Sequence, residues 1–292
     1  MLLSCIEHPY LKQFTKSFIL KTEEGSLLID TGLKSGTQKI EALAPDPKII
    51  ISTHGHWDHM GGHAYFQKKG AKIFAGAGDI RILGSLNVQW DTMYEQFRED
   101  FSIPLERQKV FAEEAGENAF ADGVLREGMR MEFGQAVLQF MEIPGHSDGS
   151  ICISLPEEGV LFTGDTVCGG GFFGTIPQIS NVAAYMKTLK RLSDMDADRV
   201  FAAHLEEPLT NAAFHEAVNE GRNCCERLQK WTQDFLRMKR EAFTVGQLAG
   251  YLCEKEGGKP VGSGACITAL AFLKEYGKPF EGRLRGGARY IL

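Results

Sequence analysis

The stretch Ser52-Thr-His54-Gly-His56-Trp-Asp58-His59-Met-Gly-Gly62 places three imidazoles and a carboxylate within six positions, directly after the apolar run Ile49-Ile-Ile51. Leaving four such groups unpaired beside a core costs several kcal/mol on the scale of about 2–7 kcal/mol per buried polar group. Metal ligation removes that cost. A chain with this stretch therefore needs a buried strand that opens into a ligand-bearing loop. The stretch alone is an incomplete set, so the remaining ligands must come from elsewhere in the fold.

Three candidates occupy equivalent places further along. His146 follows Ile143-Pro144-Gly145, Asp165 follows Leu161-Phe-Thr-Gly164, and His204 follows Val200-Phe-Ala-Ala203. Each stands where an apolar strand runs out, and site residues are commonly carried on loops held by a rigid scaffold. Five histidines and two aspartates suffice for two dications at three or four ligands each. In this reading His54, His56 and His146 hold one ion. Asp58, His59 and His204 hold the second, and Asp165 bridges. The helical positions of His63 and His215 mark them as non-ligands.

The apolar pattern around these points is mixed α/β. A hairpin is expected over 17–29 and ends at Asp30-Thr31-Gly32. Helices are expected at 36–44 and 62–69, with strands at 48–52 and 71–75. Residues 79–103 carry apolar side chains at helical spacing, and 110–121 are loose or helical. Strands follow at 129–133, 136–143, 151–155, 160–163 and 199–203. The intervening 181–193 is an amphipathic helix burying Val182, Tyr185, Met186, Leu189 and Leu192. Beyond 205 the chain turns helical, over 210–240, 244–252 and 267–276, and a closing hairpin is expected near Gly286-Gly287. Thr244 is a fitting N-cap.

Composition bounds the partners. No apolar run approaches the roughly 18–20 residues of a membrane helix, and Glu7, His8 and Pro9 interrupt the apolar start that a signal peptide needs. A cytoplasmic protein is expected. Seven scattered cysteines without a CxxC point to reduced thiols. The net charge of −6 argues against a generic nucleic-acid binder. The charge is uneven, about +4 over 211–292 and about −10 before it.

The His54-x-His56-x-Asp58-His59 motif resembles the signature of the metallo-β-lactamase fold superfamily. LLIDTG with Asp30, PGHSDGS with His146, LFTGDT with Asp165 and VFAAH with His204 follow the family order. The resemblance spans roughly 14–205 and implies an αββα sandwich, two mixed sheets face to face with helices outside and metals at one edge. One departure is Ala203, where the family usually has Gly before the last histidine. The resemblance implies a catalytic domain over 1–209, with 79–130 as an insertion and potential lid, and a helical, winged-helix-like region over 210–292. Histidine at position 56 resembles the zinc hydrolases of the family more than its diiron members. A bridging aspartate at 165 is similar to glyoxalase II, the lactonases and ribonuclease Z. The implied cofactors are two divalent ions, zinc first, with iron or manganese as alternatives.

Two such ions can share a water and bring its pKa toward neutrality, giving a hydroxide for attack on carbonyl carbon or phosphorus. Asp58 would take part in the proton transfer. The leading expectation is a dinuclear zinc hydrolase of a small ester, thioester or lactone. The alternative is an endoribonuclease or phosphodiesterase that uses the C-terminal region as an RNA platform. An iron-dependent sulfur oxidation enzyme, a degenerate regulator and a β-lactamase rank lower. Asp30 is expected to orient a ligand loop or to serve as a strand-end turn residue. Cys168 is read as a buried thiol beside the site rather than a ligand. Trp90, Tyr94 and Phe97 either line a substrate pocket or pack into their own core, and the Gly169–Gly174 loop should border the pocket. Arg283, Arg285 and Arg289 contact phosphates or solvate a hairpin. The expected partner is a small-molecule substrate, and the tail is expected to have a structural or dimerising role.

Overall fold

The computed structural model describes residues 1–167, 176–239, 242–258, 260–279 and 289–291. Cys168, the Gly169–Gly174 loop, Arg283 and Arg285 lie outside the described residues.

Strand alternation builds the first sheet. Its order is β1 (Leu2–Tyr10), β2 (Gln13–Thr22), β3 (Gly25–Ile29), β4 (Ile49–Ile51), β5 (Lys72–Gly76) and β6 (Gly123–Leu125). The first three strands are antiparallel and the last three join in parallel. Successive side chains point to opposite faces, so Phe18, Leu20, Leu27, Ile29 and Ile51 enter one core and Ile19, Leu28 and Ile50 the other. Apolar residues at consecutive positions are thus buried on both faces, as parallel-type strands require. The second core is completed by residues of the helices α1 (Thr37–Leu43), α2 (Trp57–Met60), α3 (His63–Lys68) and α4 (Ile80–Leu83), among them Ile40, Met60, Phe66 and Leu83.

The second sheet has the order β11-β10-β9-β8-β7, formed by β7 (Arg130–Phe133), β8 (Ala136–Glu142), β9 (Ile151–Leu155), β10 (Val160–Gly164) and β11 (Arg199–Ala202). Phe133, Leu138, Phe140, Ile153 and Phe162 join the residues of the first sheet in the shared core. Phe162 packs in a three-ring cluster, its centroid 4.9 Å from Phe18 and 5.2 Å from Phe201, which are 5.3 Å from each other. We expect Phe162→Ala to destabilise by about 3–5 kcal/mol, the usual cost of truncating a buried aromatic. A denaturant titration showing a loss below about 1 kcal/mol would contradict that packing.

The chain forms two compact units. One comprises 1–89, 104–167 and 196–214, and the other the described residues of 90–103, 168–195 and 215–292. The grouping is therefore not a single cut near residue 209. Segment 90–103 and helix α7 (Val182–Leu192) belong with the C-terminal elements. Within the expected insertion, α5 (Leu86–Met93) begins in the first unit, and α6 (Leu105–Glu114) lies wholly within it.

The second unit also contains α8 (from Asn211 to Met238, grouped here from His215), β12 (Phe243–Thr244), α9 (Val245–Lys255), α10 (Ser263–Tyr276), β13 (Lys278–Pro279) and β14 (Arg289–Ile291). The last strands form a sheet in the order β12-β14-β13. Thr244 caps α9 through a capping box, its side chain accepting from Gln247 N–H while the Gln247 side chain accepts from Thr244 N–H. In α7 the expected buried face holds except at Met186, which is half-buried, and Thr188 is buried as well. Among the described residues no helix is long and apolar enough to cross a membrane.

β1 and β6 were not expected from the sequence. β1 alternates exposed and buried residues only over its second half, and β6 is three residues long. Both are edge strands whose pairing comes from a neighbour rather than from their own pattern.

Candidate metal centre

All seven candidate ligands lie in the first unit, where strands end. β4 leads into the His54–His59 segment, whose Asp58 and His59 open α2, the turn after β8 carries His146, Asp165 directly follows β10, and β11 leads to His204. Gly164 adopts φ +52°, and a Cβ there would press on Thr53. A left-handed turn at that position is natural only for glycine. It returns Asp165 toward the His54 loop.

Donor atoms of His54, His56, His146 and Asp165 lie within 4.8 Å of one another, and so do those of Asp58, His59 and His204. His54 Nε2 and His146 Nε2 stand 2.9 and 3.0 Å from His56 Nδ1. Asp165 spans the two sets. Its Oδ2 is 3.0 Å from His204 Nε2 and 3.7–3.8 Å from His146 and His54, and its Oδ1 is 3.3 Å from His59 Nε2. The structure brings together every residue of the expected ligand set. Ala203, the departure from the family pattern, is accommodated: its N–H donates to Gly164 O, and His204 still reaches Asp165.

Outer partners orient the imidazoles. His204 Nδ1 donates to the carbonyl of Phe14. His59 Nδ1 donates to Asp30 Oδ2 at 2.9 Å. His54 Nδ1 donates to Thr53 Oγ1 at 3.1 Å, and Thr53 Oγ1 donates onward to Asp30 Oδ2 at 2.6 Å. A ring nitrogen that donates outward leaves Nε2 as the lone pair facing inward, the usual arrangement behind metal-binding histidines. The inward nitrogens then meet one another and the Asp165 carboxylate, contacts that repel unless protons or a cation lie between them. The donor set therefore fits divalent ions.

Asp30 thus orients candidate ligands. Besides His59 and the Thr53 hydroxyl, its Oδ1 accepts from Thr53 N–H at 2.8 Å. It is buried and adopts φ +54°, a conformation that aspartate tolerates better than most residues. The next two residues hold the far end of the motif, through Thr31 N–H to His59 O and Gly61 N–H to Gly32 O, both 2.8 Å.

Electrostatics follow from burial and charge. Burial, reinforced by neighbouring imidazoles, lowers His54 far below its ordinary range. Burial also brings His56 to about 4 against the pull of Asp58 and Asp165. Both are neutral imidazoles at neutral pH. For His59, burial is outweighed by Asp165, Asp58 and Asp30, and for His204 by Asp165 and Asp58, so both are raised. For Asp58 and Asp165, burial is outweighed by the same two histidines, and both carboxyls are lowered.

Two further residues carry no local sequence signal for the site. Tyr10, at the end of β1, donates its hydroxyl to Asp58 Oδ2 at 2.5 Å, and its ring packs edge-on to Trp57. Asp79, after β5, accepts from Gly55 N–H and Ser147 Oγ through Oδ2, and from Gly149 N–H through Oδ1. Burial raises its carboxyl, partly offset by those donors. His63 is buried against Thr31, lowered by burial to about 3, and belongs to neither set. His215 lies on α8 and also belongs to neither set. Tyr94 and Phe97 are 3% and 1% exposed, which makes them packing residues, and Trp90 is half-buried with its ring 4.7 Å from Tyr94. Phe111 of α6 instead packs on Trp57, inside the ligand motif, at 5.8 Å.

Two sheets face to face, with imidazoles and carboxylates gathered where their strands end, define a class of metal-competent sandwich proteins. Residues 12–204 match the metallo-beta-lactamase superfamily, and the chain belongs to that family. A metallo-beta-lactamase family protein from Thermus thermophilus shares the fold, with a TM-score of 0.74 at 22% identity over 99% of this chain and 98% of that one. Among curated relatives, the chain is 29% identical to the acyl-coenzyme A thioesterase MBLAC2 of Homo sapiens over 168 residues, 58% of each protein. It is 29% identical to the hydroxyacylglutathione hydrolase of Thermosynechococcus vestitus over 188 residues, 62% of this chain and 59% of that protein. The chain thus spans somewhat more than half the length of these relatives.

Proposed function

We propose that the protein is a dinuclear zinc hydrolase acting on a small thioester or related ester. The observation that carries this reading is the division of seven buried donors into two sets joined by Asp165. His54, His56 and His146 would hold one ion, Asp58, His59 and His204 would hold the other, and Asp165 would contribute to both. Zinc suits a site of five imidazoles and two carboxylates. When bound, the ions supply Lewis acidity toward the scissile carbonyl and a water acidic enough to attack near neutral pH.

The chain's own residues complete the chemistry. Asp58 is ionised at neutral pH and accepts the proton released by the attacking water. Tyr10 fixes the Asp58 carboxylate through its hydroxyl. Asp30 keeps the His59 and His54 rings turned so that their Nε2 lone pairs converge. A thiolate leaving group departs without a proton from the protein, because thiols have pKa values of about 8.5. The names of the thioesterase and hydroxyacylglutathione hydrolase relatives favour the thioester among the candidate substrates.

A panel of acyl thioesters, lactones, phosphodiesters and β-lactams, assayed on metal-analysed protein, tests the reading. Thioesters are expected to give the highest kcat/KM with two zinc ions per chain. A preference for phosphodiesters would replace the reading with the nuclease alternative, and a preference for β-lactams would also overturn it.

A further inference from the structure

We propose that Asp79 is a positioning residue for the ion held by His54, His56 and His146, clamping the two loops that bring those histidines together. The inference rests on the dinuclear reading above. The three histidines come from chain segments some 90 residues apart, and neither segment by itself determines the gap between them.

Asp79 spans that gap with one buried carboxylate. Its Oδ2 accepts from Gly55 N–H at 2.8 Å, between His54 and His56 in sequence. The same oxygen accepts from Ser147 Oγ at 2.7 Å, immediately after His146. Oδ1 accepts from Gly149 N–H at 2.8 Å. Ser147 Oγ also lies 2.7 Å from Ser150 Oγ, which closes the His146 turn on itself. The His59 side of the centre is held separately by Asp30. The two carboxylates thus serve different ligand sets, although Asp30 also reaches His54 through Thr53.

The backbone around the clamp is packed too closely for side chains. A Cβ on Gly149 would overlap Asp79, one on Gly78 would overlap the Asp148 carbonyl, and one on Gly76 would overlap the Gly149 carbonyl. The end of β5 and the His146 turn are therefore in direct backbone contact. Two charge-assisted hydrogen bonds, at 2.7 and 2.8 Å, hold that contact, and a third at 2.8 Å from Gly55 N–H ties the His54–His56 segment to it. Outer partners of this kind typically govern metal affinity by about 10–100-fold.

The experiment titrates metal-free wild type, Asp79→Asn and Ser147→Ala with Zn2+ against a competing chelator. Imidazole 15N resonances of His146 and His204 report which set fills. Wild type is expected to bind two ions; if it binds fewer, the dinuclear reading fails whatever Asp79 does. With two ions in wild type, Asp79→Asn is expected to weaken the ion sensed by His146 by about 10–100-fold and to leave the ion sensed by His204 at wild-type affinity. A general loosening of the fold would lower both together. Equal loss at both sets, loss confined to the His204 set, or no loss overturns the proposal. Should Asp79→Asn fail to fold, Ser147→Ala carries the same test with a smaller loss, since it removes a single bond to the clamp.

Discussion

Asp165→Asn is expected to reduce kcat by about a thousandfold or more and to release at least one of the two proposed ions. Lewis-acid stabilisation by a metal is worth several kcal/mol, and each 1.36 kcal/mol is tenfold in rate. The substitution keeps the shape of the side chain but removes its charge. In the native chain Asp165 lies 3.0 Å from His204 Nε2 and 3.3 Å from His59 Nε2, and it belongs to the three-histidine set as well. A neutral amide cannot balance two dications there, and its N–H2 presents donors where ligand oxygens are needed. The measurement is metal content after dialysis together with steady-state kinetics. Two tightly held ions in the variant would show that Asp165 does not bridge.

Removal of the ions is the second large effect. Chelator-treated protein is expected to lose activity entirely, to regain it on addition of Zn2+, and to melt at a lower temperature. An ion that binds only the folded state at 100 times its Kd stabilises by about 2.7 kcal/mol per site, or roughly 5–10 °C for a chain of this size. Rebinding should also release protons. His59 and His204 are raised because Asp165 and Asp58 outweigh their burial, so the metal-free centre keeps protons where the ions belong. Affinity therefore rises with pH until both imidazoles are free of their inner protons, and falls as the medium is acidified. Calorimetric titration in buffers of different ionisation enthalpy counts those protons. Binding without proton release, or affinity that grows on acidification, would contradict the assignment of His59 and His204 as ligands.

The candidate ligands were legible because their chemistry is written at short range. His54, His56, Asp58 and His59 follow one strand, and His146, Asp165 and His204 each follow another with a turn residue or small residues beside them. Apolar runs that serve both faces of a buried sheet are equally local, which is why β3 to β5 and β7 to β11 were read close to their true bounds, whereas β2 begins at Gln13, four residues before the expected hairpin. Asp30 was half-legible, since LLIDTG marks a strand end but not what the carboxylate touches. Tyr10 was not, because nothing in the first ten residues indicates that β1 pairs along all of β2 and delivers a phenol to Asp58. The aromatics of 90–97 show the opposite limit. Helical spacing identifies an apolar face, and only packing decides whether that face lines a pocket or, as for Tyr94 and Phe97, is buried.

By itself, then, the sequence determined the residue types, their placement at strand ends and hence a centre of two ion-competent sets. Tertiary structure alone decided how the sets are held: Asp30 behind His59 and Thr53, Tyr10 behind Asp58, and Asp79 between Gly55, Ser147 and Gly149. The physical reason lies in the reach of each signal. Strand alternation and ligand spacing repeat over a few residues. A buried carboxylate is instead satisfied by whichever N–H and O–H groups the folded sheets bring to it, and those lie up to some 70 positions away.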